Sequence, residues 1–173
     1  MINIGVTGHR NLDKRFIKQY SKMVFSELSN LKQIHSKIML YSAIADGADR
    51  LVVNEAIKLN IDFIAILPMK KEMYKDDFNT SSKIDFEALL EQSHEIAYIP
   101  HDNLFIRDLQ YELAGHYISD KCDILFALWD GRDTHLQGGT SEIVKYHQSK
   151  NNKIISHIKV DRKWNLLNYR INK

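Results

Sequence analysis

The sequence has little cysteine, proline or glycine: one, two and seven residues respectively in a chain of 173. The single Cys122 cannot form an intrachain disulfide, which fits a reducing compartment. No stretch approaches the ~18 consecutive apolar residues that span a bilayer, and the first residues lack the basic and apolar regions of a secretion signal. We therefore expect a cytoplasmic protein with no membrane partner.

The chain also lacks a strong charge of either sign. Its formal net charge is +2, with 44% hydrophobic and 27% charged residues, values typical of a folded globular domain rather than a disordered chain. A pronounced basic excess is the electrostatic footprint of broad nucleic-acid binding, so we do not expect nucleic acid as a partner. The length suits one domain over residues 1–173, and we expect a homo-oligomer.

Short apolar runs alternate with longer amphipathic segments along the chain. The runs predict strands at 2–7, 38–42, 63–67, 96–99, 124–129 and 154–158. Apolar residues at helical spacing predict helices at 13–34, 46–59, 84–95, 105–121 and 140–149. This alternation is typical of parallel β-α-β units, and it predicts an α/β fold: a Rossmann-like three-layer sandwich with a mainly parallel sheet. The polar segment 69–83 is expected to be an irregular loop that closes over a ligand.

Three loops that follow predicted strands are rich in small and polar residues. They are TGHRN at 7–11, SAIADGADR at 42–50, and DGR at 130–132 followed by QGGTSE at 137–142. In an open α/β sheet, ligands bind beyond the carboxyl ends of the strands, where such loops meet. The sequence therefore predicts one binding site built from all three loops.

The glycine pair of the third loop carries the clearest signal. Gly138 and Gly139 would let the backbone approach a phosphate, and Thr140 and Ser141 would add hydroxyl and N–H groups at a helix N-terminus, with Glu142 directly after them. The alternative is a plain glycine turn in which Thr140 or Ser141 caps the helix.

The first two loops supply charge and hydroxyl groups. Ser42 could approach the same point, and Asp46, beside Gly47, or Asp49 could accept hydrogen bonds from ribose hydroxyls. The alternative is that Asp46 caps the next helix and Asp49 pairs with a nearby basic residue. In the first loop, His9 and Arg10 follow Gly8 and could bring charge to a phosphate. A surface ion pair is the alternative for Arg10.

Other cofactor sites have no support in the sequence. The histidines are scattered without metal-ligand spacing, and neither a G-x-x-x-x-G-K-[ST] nor a G-x-G-x-x-G motif occurs. We therefore expect neither a metal site nor a bound dinucleotide cofactor.

In order and spacing, the three loops resemble the SLOG superfamily, named for DNA-processing protein A and the Lonely Guy phosphoribohydrolases. The matching stretches are GVTGHR at 5–10, SAIADGADRLVVNEA at 42–56, IAILPM at 64–69 and CDILFALWDGRDTHLQGGTSEIVKYH at 122–147. The resemblance covers about residues 2–158, and the GHR-type branch found beside defence genes is the most similar. It implies a sheet with strands 3-2-1 on one side of the switch point and the late strands on the other.

The resemblance implies a module that binds a nucleotide-derived molecule of the ADP-ribose or cyclic-nucleotide kind, as a sensor or sequestering protein in a bacterial or phage conflict system. The phosphate would lie on the glycine pair, the ribose near Asp46, and the base toward Gly8, His9 or Trp129. For Trp129, packing against a loop is the alternative to stacking on a base.

The alternative function is a nucleotide N-glycosidase, and the sequence departs from the Lonely Guy pattern at the residues that matter. Their P-G-G-x-G-T-x-x-E motif puts a glutamate three residues after the threonine, where this chain has Ile143. Their Arg-Lys pair aligns near Ala114. Hydrolysis by the same residues is therefore not expected, and a relocated acid, Glu112 or Asp46, would be needed; Arg107 on the same helix is a further ligand-binding candidate.

Overall fold

A computed structural model of the chain describes residues 1–100, 106–134, 136–150 and 153–161. These residues form a six-stranded sheet, parallel throughout, with strand order β4-β3-β2-β1-β5-β6. The strands are β1 (Ile2–Gly8), β2 (Ile38–Ser42), β3 (Asp62–Leu67), β4 (Glu95–Tyr98), β5 (Ile124–Trp129) and β6 (Ile154–Lys159). The helices are α1 (Ile17–Ile34), α2 (Ala48–Lys58), α3 (Lys71–Lys75), α4 (Thr80–Gln92), α5 (Arg107–Lys121) and α6 (Thr140–Gln148), with a 3₁₀ turn at Lys14–Phe16.

Helices cover both faces of the sheet because its central strands are apolar on both sides. On one face, Phe63, Ala65 and Leu67 of β3 join the main core, which also holds buried residues of α1, α2 and α4. On the opposite face, Ile66 packs with Ala114 and Ile118 of α5. The α/β class, the three-layer arrangement and the parallel sheet predicted from the sequence are confirmed.

The order in which strands are added to the sheet changes side at β1: β2, β3 and β4 lie on one side of it, and β5 and β6 on the other. Strand β1 pairs with β2 on one side and with β5 on the other, so the loops after β1 and β5 leave the same edge and diverge. This is the topological switch point at which open α/β sheets hold their ligands. The strand order implied by the resemblance is confirmed.

Segment 69–83 differs from its prediction. It contains α3 and the start of α4, and its Met69, Tyr74 and Phe78 are buried. Tyr74 meets the rings of Phe78 and Phe86 at centroid distances of 5.0 and 5.6 Å. The prediction of an irregular loop is therefore wrong: three widely spaced apolar residues, too sparse to dominate the composition, attach the segment to the core. Closure of this segment over a ligand stays a prediction.

Several boundaries also move. Helix α4 begins at Thr80 instead of residue 84, because Asn79 accepts a hydrogen bond from the Ser82 N–H and caps the helix. Helix α2 begins at Ala48 instead of residue 46, after Gly47 with φ +80°. Phe105, the predicted start of α5, lies outside the described residues. Within the described residues, no helix combines the length and apolar character required to cross a membrane.

Candidate functional site

A cavity of about 200 Å³ opens at the switch point, beyond the carboxyl ends of β1 and β2. All three predicted loops contribute to its wall, together with α5 and Pro68 after β3. The residues that line it include Gly8, Arg10, Asp49, Tyr74, Tyr111, Ala114, Gly115, Ile118, Gly138, Thr140 and Ile143. Of the thirteen ligand-binding residues predicted from the sequence, the cavity wall contains four: Gly8, Arg10, Gly138 and Thr140.

The first two loops are joined by direct backbone packing. A Cβ atom on Gly47 would lie 2.3 Å from the Arg10 carbonyl oxygen and 2.4 Å from that of His9. The Ala48 N–H also donates to the His9 carbonyl oxygen at 3.0 Å. A Cβ on Gly8 would lie 2.4 Å from the Ala48 Cβ. Gly47 is thus needed to bring the two loops together and does not itself line the cavity.

The buried carboxylate of the site is Asp49. Its side chain is 6% exposed, and its Oδ2 accepts hydrogen bonds from the Ser42 hydroxyl at 3.2 Å and the Ala45 N–H at 3.4 Å. Burial raises the pKa of this carboxyl to about 6, against the hydrogen bonds and the charge of Arg10, which act in the opposite direction. Ser42 therefore contributes by holding Asp49.

Asp46, the predicted ribose ligand, turns away from the cavity. Its Oδ1 forms an ion pair with Arg50 at 2.8 Å and accepts a hydrogen bond from the Ser82 hydroxyl at 2.5 Å. The alternative as a helix cap is wrong, because Gly47 occupies the cap position of α2 and no side chain caps it. Asp46 instead connects the second loop to α4.

Arg10 supplies the positive charge of the cavity wall. Its guanidinium lies over the Tyr111 ring, 5.1 Å from the centroid, and contacts Asp77 Oδ2 at 3.3 Å. Asp77 also accepts from the Tyr111 hydroxyl at 2.5 Å. Burial, together with this hydrogen bond, raises the pKa of Tyr111 to about 12. Arg10 thus forms the ion pair given as its alternative and still lines the cavity, with 42% of its side chain exposed.

The third loop meets the cavity at the N-terminus of α6. Gly138 has φ +67°, and a Cβ there would lie 2.8 Å from the Glu112 backbone nitrogen, so the loop lies directly against α5. Gly139 occupies the cap position, and no side chain caps α6. The alternative in which Thr140 or Ser141 caps this helix is therefore wrong. Thr140 begins the helix at the cavity wall.

Ser141 is buried inside the third loop. Its hydroxyl oxygen accepts a hydrogen bond from the Thr134 N–H at 3.3 Å, which braces the loop that follows β5. Its neighbour Gly139 donates its N–H to the Leu136 carbonyl oxygen at 2.9 Å. Neither residue contributes to the cavity wall.

Two predicted base contacts also lie outside the cavity wall. The Asp130 N–H donates to His9 Nε2 at 3.0 Å, so the imidazole of His9 joins the loop after β1 to the loop after β5. The Trp129 ring lies 5.6 Å, between centroids, from the ring of His157 on the neighbouring strand β6, so this contact is with a strand and not with a loop.

The remaining predicted residues lie on or beside α5. Arg107 donates to the Met73 carbonyl oxygen at 2.9 Å and pairs with Asp77 at 3.3 Å, which ties α3 to α5. Glu112 accepts from the Gln137 amide at 2.6 Å. Glu142 Oε1 lies 2.7 Å from His116 Nε2. Both catalytic candidates, Glu112 and Asp46, are thus absent from the described cavity wall.

Sequence reasoning named Asp49 only as an alternative to Asp46 and did not select Tyr111, although helical spacing favours both as lining residues. Asp49 lies three, four and seven residues before the buried Val52, Val53 and Ala56, which places it on the inner face of α2. Tyr111 has the same relation to Ala114, Gly115 and Ile118, all of which line the cavity.

Solved structures with a similar fold include two DNA processing A proteins and the protein TM1055. The Streptococcus pneumoniae protein has a TM-score of 0.54 and 14% identity over 90% of this chain and 58% of its own. The Helicobacter pylori protein has a TM-score of 0.57 and 12% identity over 97% and 78%. TM1055 has a TM-score of 0.51 and 10% identity over 85% and 68%. This chain therefore spans less than two thirds of the Streptococcus pneumoniae protein.

No family model matches the sequence, and no curated protein matches it. What these comparisons show is the fold: the chain shares the Rossmann-like α/β architecture of these solved structures.

Proposed function

We propose that the cavity binds the phosphorylated ribose of a nucleotide-derived small molecule, and that the protein acts as a sensor or sequestering protein for it. The observation that carries the proposal is the composition of the wall at the switch point. One cation (Arg10), one buried carboxyl (Asp49) and an uncapped helix N-terminus (Thr140) surround a single cavity. A cation and a helix N-terminus bind a phosphate, and an acidic residue accepts hydrogen bonds from ribose hydroxyls.

The phosphate would lie between Thr140 and Arg10. The first N–H groups of a helix have no partner within the helix, and its dipole favours an anion there. The N-cap residue of α6 is Gly139, which has no side chain to bond these groups and so leaves room for a ligand at them. Arg10 adds a charge-assisted donor from the opposite loop.

The ribose would lie on Asp49, which replaces Asp46 as the proposed acceptor for its hydroxyls. A volume of about 200 Å³ is below the ~300–1,000 Å³ of pockets that enclose drug-sized ligands. It suits a ribose phosphate, so the base or a second nucleotide half of an ADP-ribose-like ligand would extend past the cavity mouth.

Calorimetry with AMP and ribose 5-phosphate tests the proposal, after mass spectrometry of the small molecules that copurify with the protein. Arg10→Gln should weaken binding about 10- to 100-fold, because a hydrogen bond to a charged group contributes about 1.5–3 kcal/mol. Arg15→Gln is the matched control: Arg15 pairs with Asp13, has a 79% exposed side chain and lies outside the cavity wall. Equal affinity in the two variants would contradict the site.

A nucleotide N-glycosidase is the second candidate, and Asp49 is the observation that favours it. A buried carboxyl whose pKa is raised to about 6 is suited to general acid–base catalysis near neutral pH. Chromatography of incubations with AMP and NAD measures release of free base. Release that Asp49→Asn abolishes, with AMP binding intact, would establish the enzyme in place of the sensor.

Single-stranded DNA belongs among the ligands to be tested. The Helicobacter pylori neighbour is described by its single-stranded DNA binding mode, so the expectation against nucleic acid has no support from that structure. Fluorescence anisotropy with a labelled oligonucleotide, competed with AMP, separates the two ligand classes.

The GHR-type branch, the role in a conflict system and the homo-oligomer remain proposals. For the oligomer, the exposed Ile96 and Tyr98 of the edge strand β4 and Leu113 and Tyr117 of α5 offer apolar surface of the kind that partners cover. Light scattering of the purified chain measures its mass in solution.

A further inference from the structure

Three metal-ligating side chains meet between α5 and α6. They are Glu112, His116 and Glu142, and one ligand atom from each lies within 4.8 Å of the other two. We call this group the seam cluster. The cluster is not visible as a sequence motif, because Glu142 lies 26 positions after His116.

Helix geometry holds the seam cluster together. Glu112 and His116 are four residues apart on α5 and therefore lie on one face, a turn apart. Glu142 comes from the first turn of α6, and the two helices touch where Gly115 meets Ile143: a Cβ on Gly115 would lie 2.3 Å from the Ile143 Cδ1. The close approach of α5 and α6 thus brings Glu142 to His116, with 2.7 Å between Oε1 and Nε2.

One oxygen of the seam cluster has an unmet requirement. Glu142 Oε2 is a buried atom that has no hydrogen-bond partner among the described residues. A buried carboxylate oxygen without a donor carries a desolvation cost. A cation beside it would remove that cost.

We propose that the seam cluster binds a divalent transition-metal ion of the Zn²⁺ type. Glu112, His116 and Glu142 would supply three protein ligands, with further positions left for water or an exogenous group. In a tetrahedral site with bonds of ~2.0–2.2 Å, ligand atoms lie about 3.3 Å apart. The three ligand atoms lie within 4.8 Å of one another, and His116 Nε2 is already 2.7 Å from Glu142 Oε1, so metal binding would require that pair to separate slightly.

The ligand types select the class of metal. Imidazole nitrogen suits Zn²⁺ and other first-row transition-metal ions, whereas Mg²⁺ and Ca²⁺ prefer ligand sets made entirely of oxygen atoms. His116 therefore argues against a Mg²⁺ site. The ring of Tyr146 stacks on His116 with a centroid distance of 3.7 Å and an interplanar angle of 16°, which fixes the plane of the imidazole.

Titration of the chelator-treated protein with Zn²⁺ by calorimetry tests the proposal, and Co²⁺ absorption reports directly on the ligands. The wild type should bind one Zn²⁺ per chain and should bind Mg²⁺ at least tenfold more weakly. Glu142→Gln and His116→Gln should each weaken Zn²⁺ binding at least tenfold and alter the Co²⁺ spectrum. Glu142→Gln keeps an oxygen that can accept from His116, so a purely structural contact would survive it.

Two control variants address binding by unrelated surface groups. Glu91→Gln removes an exposed carboxylate in the last turn of α4, and His94→Ala removes an exposed imidazole two residues after that helix ends. Both variants should leave Zn²⁺ affinity unchanged. The proposal is overturned if the seam-cluster variants bind Zn²⁺ as the wild type does, if the controls weaken binding equally, or if Mg²⁺ binds more tightly than Zn²⁺.

Discussion

The cavity and the seam cluster are neighbours that share residues of α5 and α6, yet their chemistry differs. The cavity wall has one cation, one buried carboxyl and small residues that admit a ligand. The seam cluster has two carboxylates and an imidazole within 4.8 Å of one another. The first suits an anionic ligand and the second a cation.

The helical repeat explains how two adjacent regions come to differ so much. Tyr111 and Gly115 of α5 line the cavity, whereas the residues directly after them, Glu112 and His116, belong to the seam cluster. Successive residues on a helix point about 100° apart, so a step of one residue changes the site that a side chain serves. On α5, the helix face thus decides whether a side chain lies at the cavity or in the seam cluster.

The largest expected effect comes from Gly138→Ala, which should disturb both regions at once. A Cβ there would lie 2.8 Å from the Glu112 nitrogen and 2.9 Å from the Tyr111 Cβ, with φ +67°. Left-handed strain and overpacking together should lower the free energy of unfolding by about 2–4 kcal/mol. Urea denaturation measures the loss, and affinity for both AMP and Zn²⁺ should fall.

Gly131→Ala is the matched control for backbone strain. Gly131 also has a positive φ, +82°, but a Cβ there meets only a His157 ring atom at 3.9 Å. Its cost should be limited to about 1 kcal/mol, with both affinities kept. Equal losses in the two variants would show that contact between the third loop and α5 does not hold the regions together.

An intermediate effect is expected from Asp49→Asn, which should change how the free energy of unfolding depends on pH through a residue of the cavity wall alone. The folded-state pKa of Asp49 is raised from 3.8 to about 6 by burial, so the folded chain holds this proton more tightly than the unfolded chain. Its stabilising contribution is complete below about pH 4 and is lost as pH rises through about 6. The loss is on the order of 2–3 kcal/mol.

The asparagine variant should therefore show a flatter stability profile between pH 4 and 6 than the wild type, measured by urea denaturation across that range. Asp46→Asn is the control in the same loop. It removes the ion pair with Arg50 and should retain the fall in stability that Asp49 causes. A wild-type slope in Asp49→Asn would contradict the assignment of the buried carboxyl.

The contrast between Asp46 and Asp49 also shows how far the sequence could be interpreted. The strands and the meeting of three loops at one edge follow from apolar periodicity and the rules of parallel sheets, whereas the strand order was implied by the family resemblance. The choice between two aspartates in one loop does not. It depends on Gly47, whose positive φ and contact with the carbonyls of His9 and Arg10 delay the helix start by two residues.

The seam cluster was beyond prediction for a different reason. Local spacing relates Glu112 to His116, but Glu142 reaches them only because Gly115 allows α5 and α6 to approach closely. A contact of that kind is decided by tertiary packing. The burial of Tyr74 and Phe78 in segment 69–83 was missed for the same reason, because both rings pack against Phe86 of α4.

The smallest expected effect comes from Tyr111→Phe, which removes one hydroxyl from the cavity side of α5. The hydroxyl donates to Asp77 at 2.5 Å, and Asp77 holds Arg10 at 3.3 Å. The ring beneath the Arg10 guanidinium remains, so AMP affinity should fall only about two- to fivefold, a change of about 0.5–1 kcal/mol. Zn²⁺ affinity should not change.

Tyr146→Phe is the reciprocal variant on the seam side. It removes the hydroxyl that bonds Asp120 at 3.0 Å and keeps the ring stacked on His116, so AMP affinity should equal that of the wild type. Calorimetry of both variants with both ligands gives four affinities, of which only the AMP affinity of Tyr111→Phe should change. A fall in Zn²⁺ affinity in Tyr111→Phe would mean that the two faces of α5 are coupled, because the ligand residues Glu112 and His116 are intact in that variant. The phosphate and metal sites would then be parts of one ligand-binding centre.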